Sequence, residues 1–129
     1  MQILTPLLLA ADTGLYTFAL VDEAGAGIDG ATLQSLTLTY YDQATAAIIN
    51  AREHQNVLNA NDVTVTTIGT LPPWTTTVTW ELQPEDTVIF HPESAWEVHI
   101  VQFRWTWAGG QRTKSHRVGI GVEQLRYTP

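Results

Sequence analysis

Apolar and polar residues alternate along most of this chain with a period of two. Four segments show the alternation most clearly: "LYTFALVD" (15–22), "LQSLTLTYYD" (33–42), "DVTVTT" (62–67) and "TTTVTWEL" (75–82). They are rich in β-branched and aromatic residues, and clusters of Gly, Asn, Asp and Pro separate them. Because successive side chains of a strand point to opposite faces, this pattern predicts short β-strands joined by turns. Residues 45–58 resemble a helix in composition, but Asn50 and its β-branched neighbours favour a strand and a bend there.

The segment from Trp96 to Leu125 predicts a β-hairpin. Gly109 and Gly110 suit a two-residue turn, because both can adopt a positive φ without a Cβ clash. Such a turn sets the pairing of the two strands as follows: Phe103 with His116, Val101 with Val118, His99 with Ile120, and Glu97 with Val122. One face then carries His99, Val101, Phe103, Trp105, His116, Val118, Ile120 and Val122. The opposite face pairs Gln102 with Arg117 and Arg104 with Ser115. A single register therefore gives both strands the same inner face.

Short strands, turns every 8–12 residues and a closing hairpin predict an all-β chain, an antiparallel immunoglobulin-like β-sandwich of about seven strands. A length of 129 residues fits a single sandwich domain over 1–129. "LQPEDT" (82–87) resembles the stretch before the penultimate strand of immunoglobulin domains. Here "VIFHPESAW" follows instead of Tyr-x-Cys, and the chain has no cysteine. Residues 1–12 form a possible N-terminal arm that would complete a sheet, either its own or that of a neighbouring copy.

The composition of the chain excludes some classes of binding partner. Charged residues make up only 15% of the chain, and the formal net charge is −7, which argues against a nucleic-acid partner. Residues 1–99 hold one positive and twelve negative side chains, whereas residues 100–129 hold five positive and one negative. This asymmetry favours association with other copies or with an oppositely charged protein. No stretch is long enough to cross a membrane, and "MQILTPLLLAAD" is a poor secretory signal, so no membrane partner is expected.

The polar residues show no pattern typical of a catalytic site. His99 and His116 share the inner face without acidic partners nearby in sequence, so they are interpreted as core histidines rather than metal ligands. His54 and His91 lie in predicted loops and are expected to be solvated. The carboxylates Glu81, Glu85 and Asp86 surround a Pro-x-Asp turn, where capping of backbone N–H groups explains them best. The spacing of Asp22, Glu23 and Asp29 is not that of a calcium loop. The serines Ser35, Ser94 and Ser115 lack a companion residue that would mark a nucleophile, and the sequence contains no nucleotide-binding fingerprint. We expect no catalytic, cofactor-binding or metal site, and no enzyme activity.

Tryptophan supplies the remaining candidate surface. Trp80 alternates with core positions and is expected in the core. Trp105 and Trp107 lie beside the predicted turn, where they either plug the end of the sandwich or face a partner. Their cross-strand neighbours Lys114 and Arg112 could stack on the indoles. Along its two strands, the hairpin is thus predicted to form one side of the hydrophobic core. Its tip is predicted to be a partner-contact surface formed by Trp105, Trp107, Arg112 and Lys114.

The order of several short motifs resembles small virion structural proteins of tailed bacteriophages. The motifs span residues 33–123 and comprise Leu-Thr-Leu-Thr with Tyr-Asp, Ile-Ile-Asn, Val-Leu-Asn-Ala-Asn, Trp-x-Leu-x-Pro-x-Asp and Phe-x-Trp-Thr-Trp-x-Gly-Gly. The resemblance implies a capsid decoration protein or a head–tail or tail component. Such a protein is made in the host cytoplasm, is located in the virion, and contacts its own copies or phage capsid or tail proteins. The alternative is a carbohydrate-binding β-sandwich module that uses exposed Trp74, Trp105 or Trp107.

Overall fold

The residues that the structure describes form eight β-strands. The computed structural model describes the backbone of residues 2–9, 14–107 and 112–123, and the side chains of residues 14–107 and 112–122. The strands are β1 (Gln2–Leu9), β2 (Gly14–Ala19), β3 (Leu33–Asp42), β4 (Gln55–Asn56), β5 (Val63–Ile68), β6 (Thr75–Leu82), β7 (Trp96–Trp107) and β8 (Arg112–Glu123). Two short 3₁₀ helices lie at Gly30–Thr32 and Pro84–Thr87. The described residues contain no α-helix, so the predicted all-β class is confirmed.

The strands form two sheets. Sheet I has the order β1-β8-β7-β3-β4, and sheet II has the order β2-β6-β5. Their pairs are antiparallel except that β1 runs parallel to β8. The N-terminal arm therefore completes the edge of its own sheet, as one of the two alternatives predicted. The register of β1 shifts between Leu4 and Leu8, around Pro6, and a proline without an N–H is tolerated only at such an edge.

The predicted hairpin register is confirmed. Phe103 pairs with His116, Val101 with Val118, and Glu97 with Val122, and the pairing continues without a bulge to Trp107 and Arg112. The inward side chains of both strands are buried from His99 to Trp107 and from Val118 to Val122, whereas His116 is half-buried. The two-glycine turn itself lies outside the described residues.

Residues 45–58 form bends and a short strand rather than a helix, as predicted. Besides β4, an isolated bridge joins Ile48 to Tyr41. Ala46, Asn50, Ala51 and His54 have φ values of 61°, 53°, 55° and 48°. Non-glycine residues adopt this left-handed conformation at a cost, and asparagine does so most readily. The loop therefore needs tertiary contacts to hold it.

The core lies between the two sheets. Sheet I contributes Leu38, Tyr40 and Phe103, which are all fully buried, and sheet II contributes Val78 and Trp80. Phe18 of β2 packs on Phe103 of β7 with ring centroids 4.8 Å apart. Tyr40 meets Trp80 edge to face at 5.0 Å. Aromatic contacts of this kind join the sheets directly and add stability beyond the buried area.

A buried arginine links the left-handed loop to sheet II. Arg52 is only 1% exposed, and its Nε donates to Asp86 Oδ1 at 2.6 Å. Its Nη2 donates both to Asp86 Oδ2 at 3.0 Å and to Asp62 Oδ2 at 2.9 Å. Asp86 also accepts the backbone N–H of Gln83 at 2.8 Å, so the predicted capping role in the Pro-x-Asp turn is confirmed. Its ion pair with Arg52 was not predicted.

Replacing Asp86 with Asn should destabilise the domain by about 3 kcal/mol, because it leaves a buried guanidinium without its main counter-ion. Urea denaturation would measure the change. Glu85→Gln at the exposed neighbouring position is the matched control and should stay within about 0.5 kcal/mol of the native chain. Equal stability of the two variants would show that the ion pair contributes nothing to the fold.

Candidate functional site

The two tryptophans near the hairpin tip belong to the core. Trp105 is 1% exposed and Trp107 is 6% exposed. On sheet I, Trp107 pairs with Leu33 and Trp105 with Leu36, and both leucines are buried. From sheet II, Phe18 packs on Trp105 with ring centroids 5.8 Å apart. The prediction that both indoles belong to the partner-contact surface of the tip is therefore wrong, because β3 continues alongside them and they plug the end of the sandwich.

The two cations of the predicted contact surface bind the loop after β2. Arg112 Nη1 donates to Glu23 Oε1 at 3.2 Å, and Lys114 Nζ donates to the carbonyl oxygen of Asp22 at 3.1 Å. The cation–π contacts found in the described part of the chain are those of Arg52 with Trp80 and Arg117 with Tyr41. The expected stacking of Arg112 and Lys114 on the indoles is thus replaced by contacts with this loop. That the tip contacts a partner stays a prediction, with Arg112 and Lys114 as its accessible members.

The four histidines differ in exposure and in the residues that they contact. His54 is exposed, as expected. His116 bridges the sheets: its Nε2 shares a hydrogen bond with the Tyr16 hydroxyl, and its ring stacks on Phe18 at 4.5 Å. Burial lowers the pKa of His116. His99 and His116 both form hydrogen bonds, and His99 is fully buried, as expected of a core histidine, whereas His116 is half-buried. His91 is only 23% exposed and differs from its prediction, because it contacts Asp42.

His99 and Glu97 form a buried pair on the inner face of β7. Residues two apart on a strand share a face, which places Glu97 beside His99. The separation of His99 Nε2 and Glu97 Oε2 is 2.6 Å. The prediction that His99 lacks an acidic partner nearby in sequence is therefore wrong. The alternation that located the inner face was the signal that could have found this pair.

The Tyr40 hydroxyl fixes the other side of the His99 ring. It donates to the carbonyl oxygen of Asp86 at 2.8 Å and lies 3.1 Å from His99 Nδ1. A hydroxyl has one proton, and a carbonyl can only accept. With that proton directed to the carbonyl, His99 Nδ1 carries the hydrogen that the tyrosine oxygen accepts.

Asp42 joins this pair from β3. The register pairs Asp42 with His99, so the two side chains are neighbours on the inner face. Asp42 Oδ2 accepts hydrogen bonds from Thr45 N at 3.2 Å, Thr45 Oγ1 at 2.7 Å and His91 Nε2 at 2.7 Å. Burial acts to raise the pKa of Asp42, but the hydrogen bonds from Thr45 and His91 outweigh it and lower the pKa. The same hydrogen bond to Asp42 raises the pKa of His91.

A cavity of about 310 Å³ adjoins the cluster of Asp42, Glu97 and His99. It is lined by Asp42, Gln43, Ala44, His91, Glu93, Ser94, Trp96, Glu97 and Val98. Glu97 also holds the rim in place, because its carboxylate accepts the backbone N–H groups of Phe90 and His91. The cluster therefore has buried nitrogen and oxygen atoms of the kind that bind metal ions, and a cavity reaches two of its residues from the surface.

Comparisons with known proteins add no assignment. No protein family model matches the chain, and neither a curated protein nor a solved structure matches it. Among the described residues, no helix has the length and apolar character needed to cross a membrane. Any functional proposal must therefore rest on the chain's own residues.

Replacing Trp105 with Ala should cost about 3–5 kcal/mol of unfolding free energy, because the indole fills the end of the core. Thermal unfolding followed by circular dichroism would show the loss as a lower melting temperature. Trp96→Ala is the control, since Trp96 is 47% exposed and its removal should change stability by about 1 kcal/mol or less. A Trp105 variant as stable as the Trp96 variant would contradict the burial of the indole.

His116 should make stability fall as the pH drops below about 6.5. The unfolded chain protonates this histidine near its ordinary pKa of about 6.5, whereas the folded chain, with its lowered pKa, does so only at lower pH. Acidification from pH 7 to 5 should therefore destabilise the native chain relative to His116→Phe. Denaturation midpoints across this range measure the difference. Tyr16→Phe should keep the pH dependence, because burial rather than the hydroxyl causes the shift. A difference between native and His116→Phe that stays constant with pH would refute the prediction.

Proposed function

We propose that this domain is a structural component of a tailed-phage virion, either a capsid decoration protein or a head–tail or tail protein, and that it acts through protein–protein contacts. The motif order over residues 33–123 supports the phage assignment. The observation that carries the contact mechanism is the position of two exposed arginines, Arg104 and Arg117. Both lie on the outer face of sheet I, and neither is in an ion pair within the part of the chain that the structure describes.

The arginine face is defined as the outer face of sheet I around Arg104 and Arg117. The side chains paired with these two arginines on β3, β7 and β8 are polar and uncharged. Arg104 pairs with Ser115 on β8 and with Thr37 on β3. Arg117 pairs with Gln102 on β7, which in turn pairs with Thr39 on β3. Arg117 donates to the Tyr41 hydroxyl at 2.5 Å, which is an uncharged partner. Two exposed guanidinium groups among polar side chains suit an acidic protein surface, since arginine forms paired hydrogen bonds with carboxylates.

Sheet II offers a surface of opposite character. Its outer face is rich in threonine, and the acidic residues Glu81 and Glu85, the latter in the turn that follows, are exposed there. Leu15 and Ile68, on its two edge strands, are 70% and 68% exposed. Contact between the arginine face of one copy and this acidic side of another would be heterologous, and such contacts generate rings or lattices. A capsid or tail protein with an acidic surface would serve equally as the partner.

The same proposal includes an immunoglobulin-like identity for the sandwich. In immunoglobulin domains one sheet contains strands B, E and D in that order, and the other contains C, F and G. The order β2-β6-β5 and the order β3-β7-β8 support this correspondence. Phe18 and Phe103 then pack between the strands corresponding to B and F, which a disulfide joins in antibody domains.

The alternative function is a carbohydrate-binding module, which would present tryptophans to sugar rings. Burial removes Trp105 and Trp107 from that role, and Trp74 is half-buried. Trp96 is exposed, but it stands at the start of β7 rather than beside a second exposed tryptophan on one strand face. The geometry therefore favours protein contacts.

Reversing the charge of the arginine face should prevent assembly without unfolding the domain. In the double variant Arg104→Glu and Arg117→Glu, both changes are at exposed positions, so the melting temperature should stay within a few degrees of the native value. Incorporation into virions, followed by an antibody to this chain in negative-stain microscopy, should fall to background.

The matched control reverses the same number of charges at the hairpin tip. Arg112→Glu with Lys114→Glu should still be incorporated if the arginine face is the contact. Loss of incorporation in the tip variant alone would instead support the tip predicted from the sequence. Absence of the native chain from purified virions would overturn the virion assignment itself.

A further inference from the structure

We infer that Asp42, Glu97 and His99 form a binding site for one divalent transition-metal ion, with Zn²⁺ and Mn²⁺ as the ions that suit its ligands. The site would take one imidazole nitrogen and one oxygen from each of two carboxylates. These three atoms lie within 4.8 Å of one another, and all three residues are buried. The inference is independent of the proposed role in a virion.

The first argument is the lone pair of His99 Nε2. Because Nδ1 carries the hydrogen that Tyr40 accepts, neutral His99 has an unprotonated Nε2. That lone pair lies 2.6 Å from a carboxylate oxygen of Glu97, and two acceptors repel each other at this distance. A positive charge must stand between them, supplied by a proton or by a metal ion. A ligating histidine whose other nitrogen is held by a hydrogen bond is also the usual arrangement at protein metal sites.

The second argument is an unpartnered oxygen. Asp42 is 1% exposed, and its Oδ1 has no hydrogen-bond partner among the described residues. A buried acceptor without a partner is costly, and natural folds seldom keep one without a role. Its other oxygen is held by Thr45 and His91. The carboxylate is therefore oriented through Oδ2, while Oδ1 keeps free lone pairs for a cation.

The ligand set and the cavity indicate the class of ion. Imidazole suits zinc and other first-row metals, carboxylates suit manganese and zinc, and no thiolate is present. Ligand distances of about 2.0–2.2 Å would require His99 and Glu97 to separate slightly as the ion replaces the proton. The adjoining cavity of about 310 Å³ gives the ion a path from solvent and room for water at its remaining positions. His91 and Tyr40 would act as positioning residues.

The first experiment uses the full native chain after EDTA treatment, titrated separately with ZnCl₂ and MnCl₂ in a calorimeter. We expect one ion bound per chain and a melting temperature that rises with metal concentration and returns with EDTA. Histidine side-chain NMR spectra recorded with Zn²⁺ should show a large change at His99 Nε2 and no change at the exposed His54. This readout requires no mutation, so it stands even where a variant fails to fold.

Variants then distinguish the proposed metal ligands from the residues that position them. Asp42→Asn keeps the shape of the side chain and should weaken metal affinity at least tenfold, and His91→Gln should weaken it by about tenfold through the orientation of Asp42. His54→Gln is the control and should bind as the native chain does. Circular dichroism of the metal-free variants confirms that each has folded.

Three results would overturn the inference. They are the absence of calorimetric binding by either ion, unchanged affinity in folded Asp42→Asn, or metal-dependent NMR changes at His54 or His116 with none at His99. In each case a shared proton between His99 and Glu97 would account for the short contact.

Discussion

The guanidinium of Arg52 is the constraint on which the rest of the structure depends. It is the only positive side chain in residues 1–99, and it lies in the core. Its five N–H donors are all used, because Nη1 donates to Gln55 and to the carbonyl of Asn61 while Nε and Nη2 bind Asp86 and Asp62. A buried ion pair adds little net stability compared with an apolar core, but it penalises any arrangement that leaves the charge unpaired. The left-handed loop before β4, the start of β5 and the turn after β6 are therefore held in one relative position.

The same network reaches the candidate metal site. Asp86 binds Arg52 through its carboxylate, while its carbonyl accepts the hydroxyl of Tyr40. That hydrogen bond leaves the tyrosine oxygen as an acceptor for His99 Nδ1, which in turn sets the lone pair of Nε2 towards Glu97. A turn that looks purely structural in the sequence is thus connected by hydrogen bonds to a histidine on the other sheet. Substitutions at Asp86 should for this reason disturb the cluster of Asp42, Glu97 and His99 as well as the fold.

The sequence predicts features that depend on the alternation of neighbouring residues. It does not predict features that depend on the burial of a side chain by distant residues or on the register between distant strands. The hairpin pairing follows from two glycines and the alternation of inner residues, and it agrees at every pair described. Trp105 and Trp107 were assigned the correct face but the wrong depth, because their burial depends on Leu33 and Leu36 some seventy residues earlier in the chain. Glu97 could have been found from its spacing to His99. Asp42 could not, since only the register of β3 against β7 places it beside that histidine.

The arginine face and the cluster of Asp42, Glu97 and His99 are independent because of the pleat and length of β7. Arg104 points outwards, whereas Glu97 and His99 point inwards, so a charge reversal on one face leaves the other untouched. The hairpin tip is further separated, since Trp107 follows His99 by eight positions along the strand, which span roughly 26 Å at about 3.3 Å per residue. A metal ion bound at the start of β7 would therefore act on a partner at the tip or on the arginine face only through the rigidity of the strand. Its direct effect would fall on the segment around Phe90 and His91, whose backbone Glu97 holds.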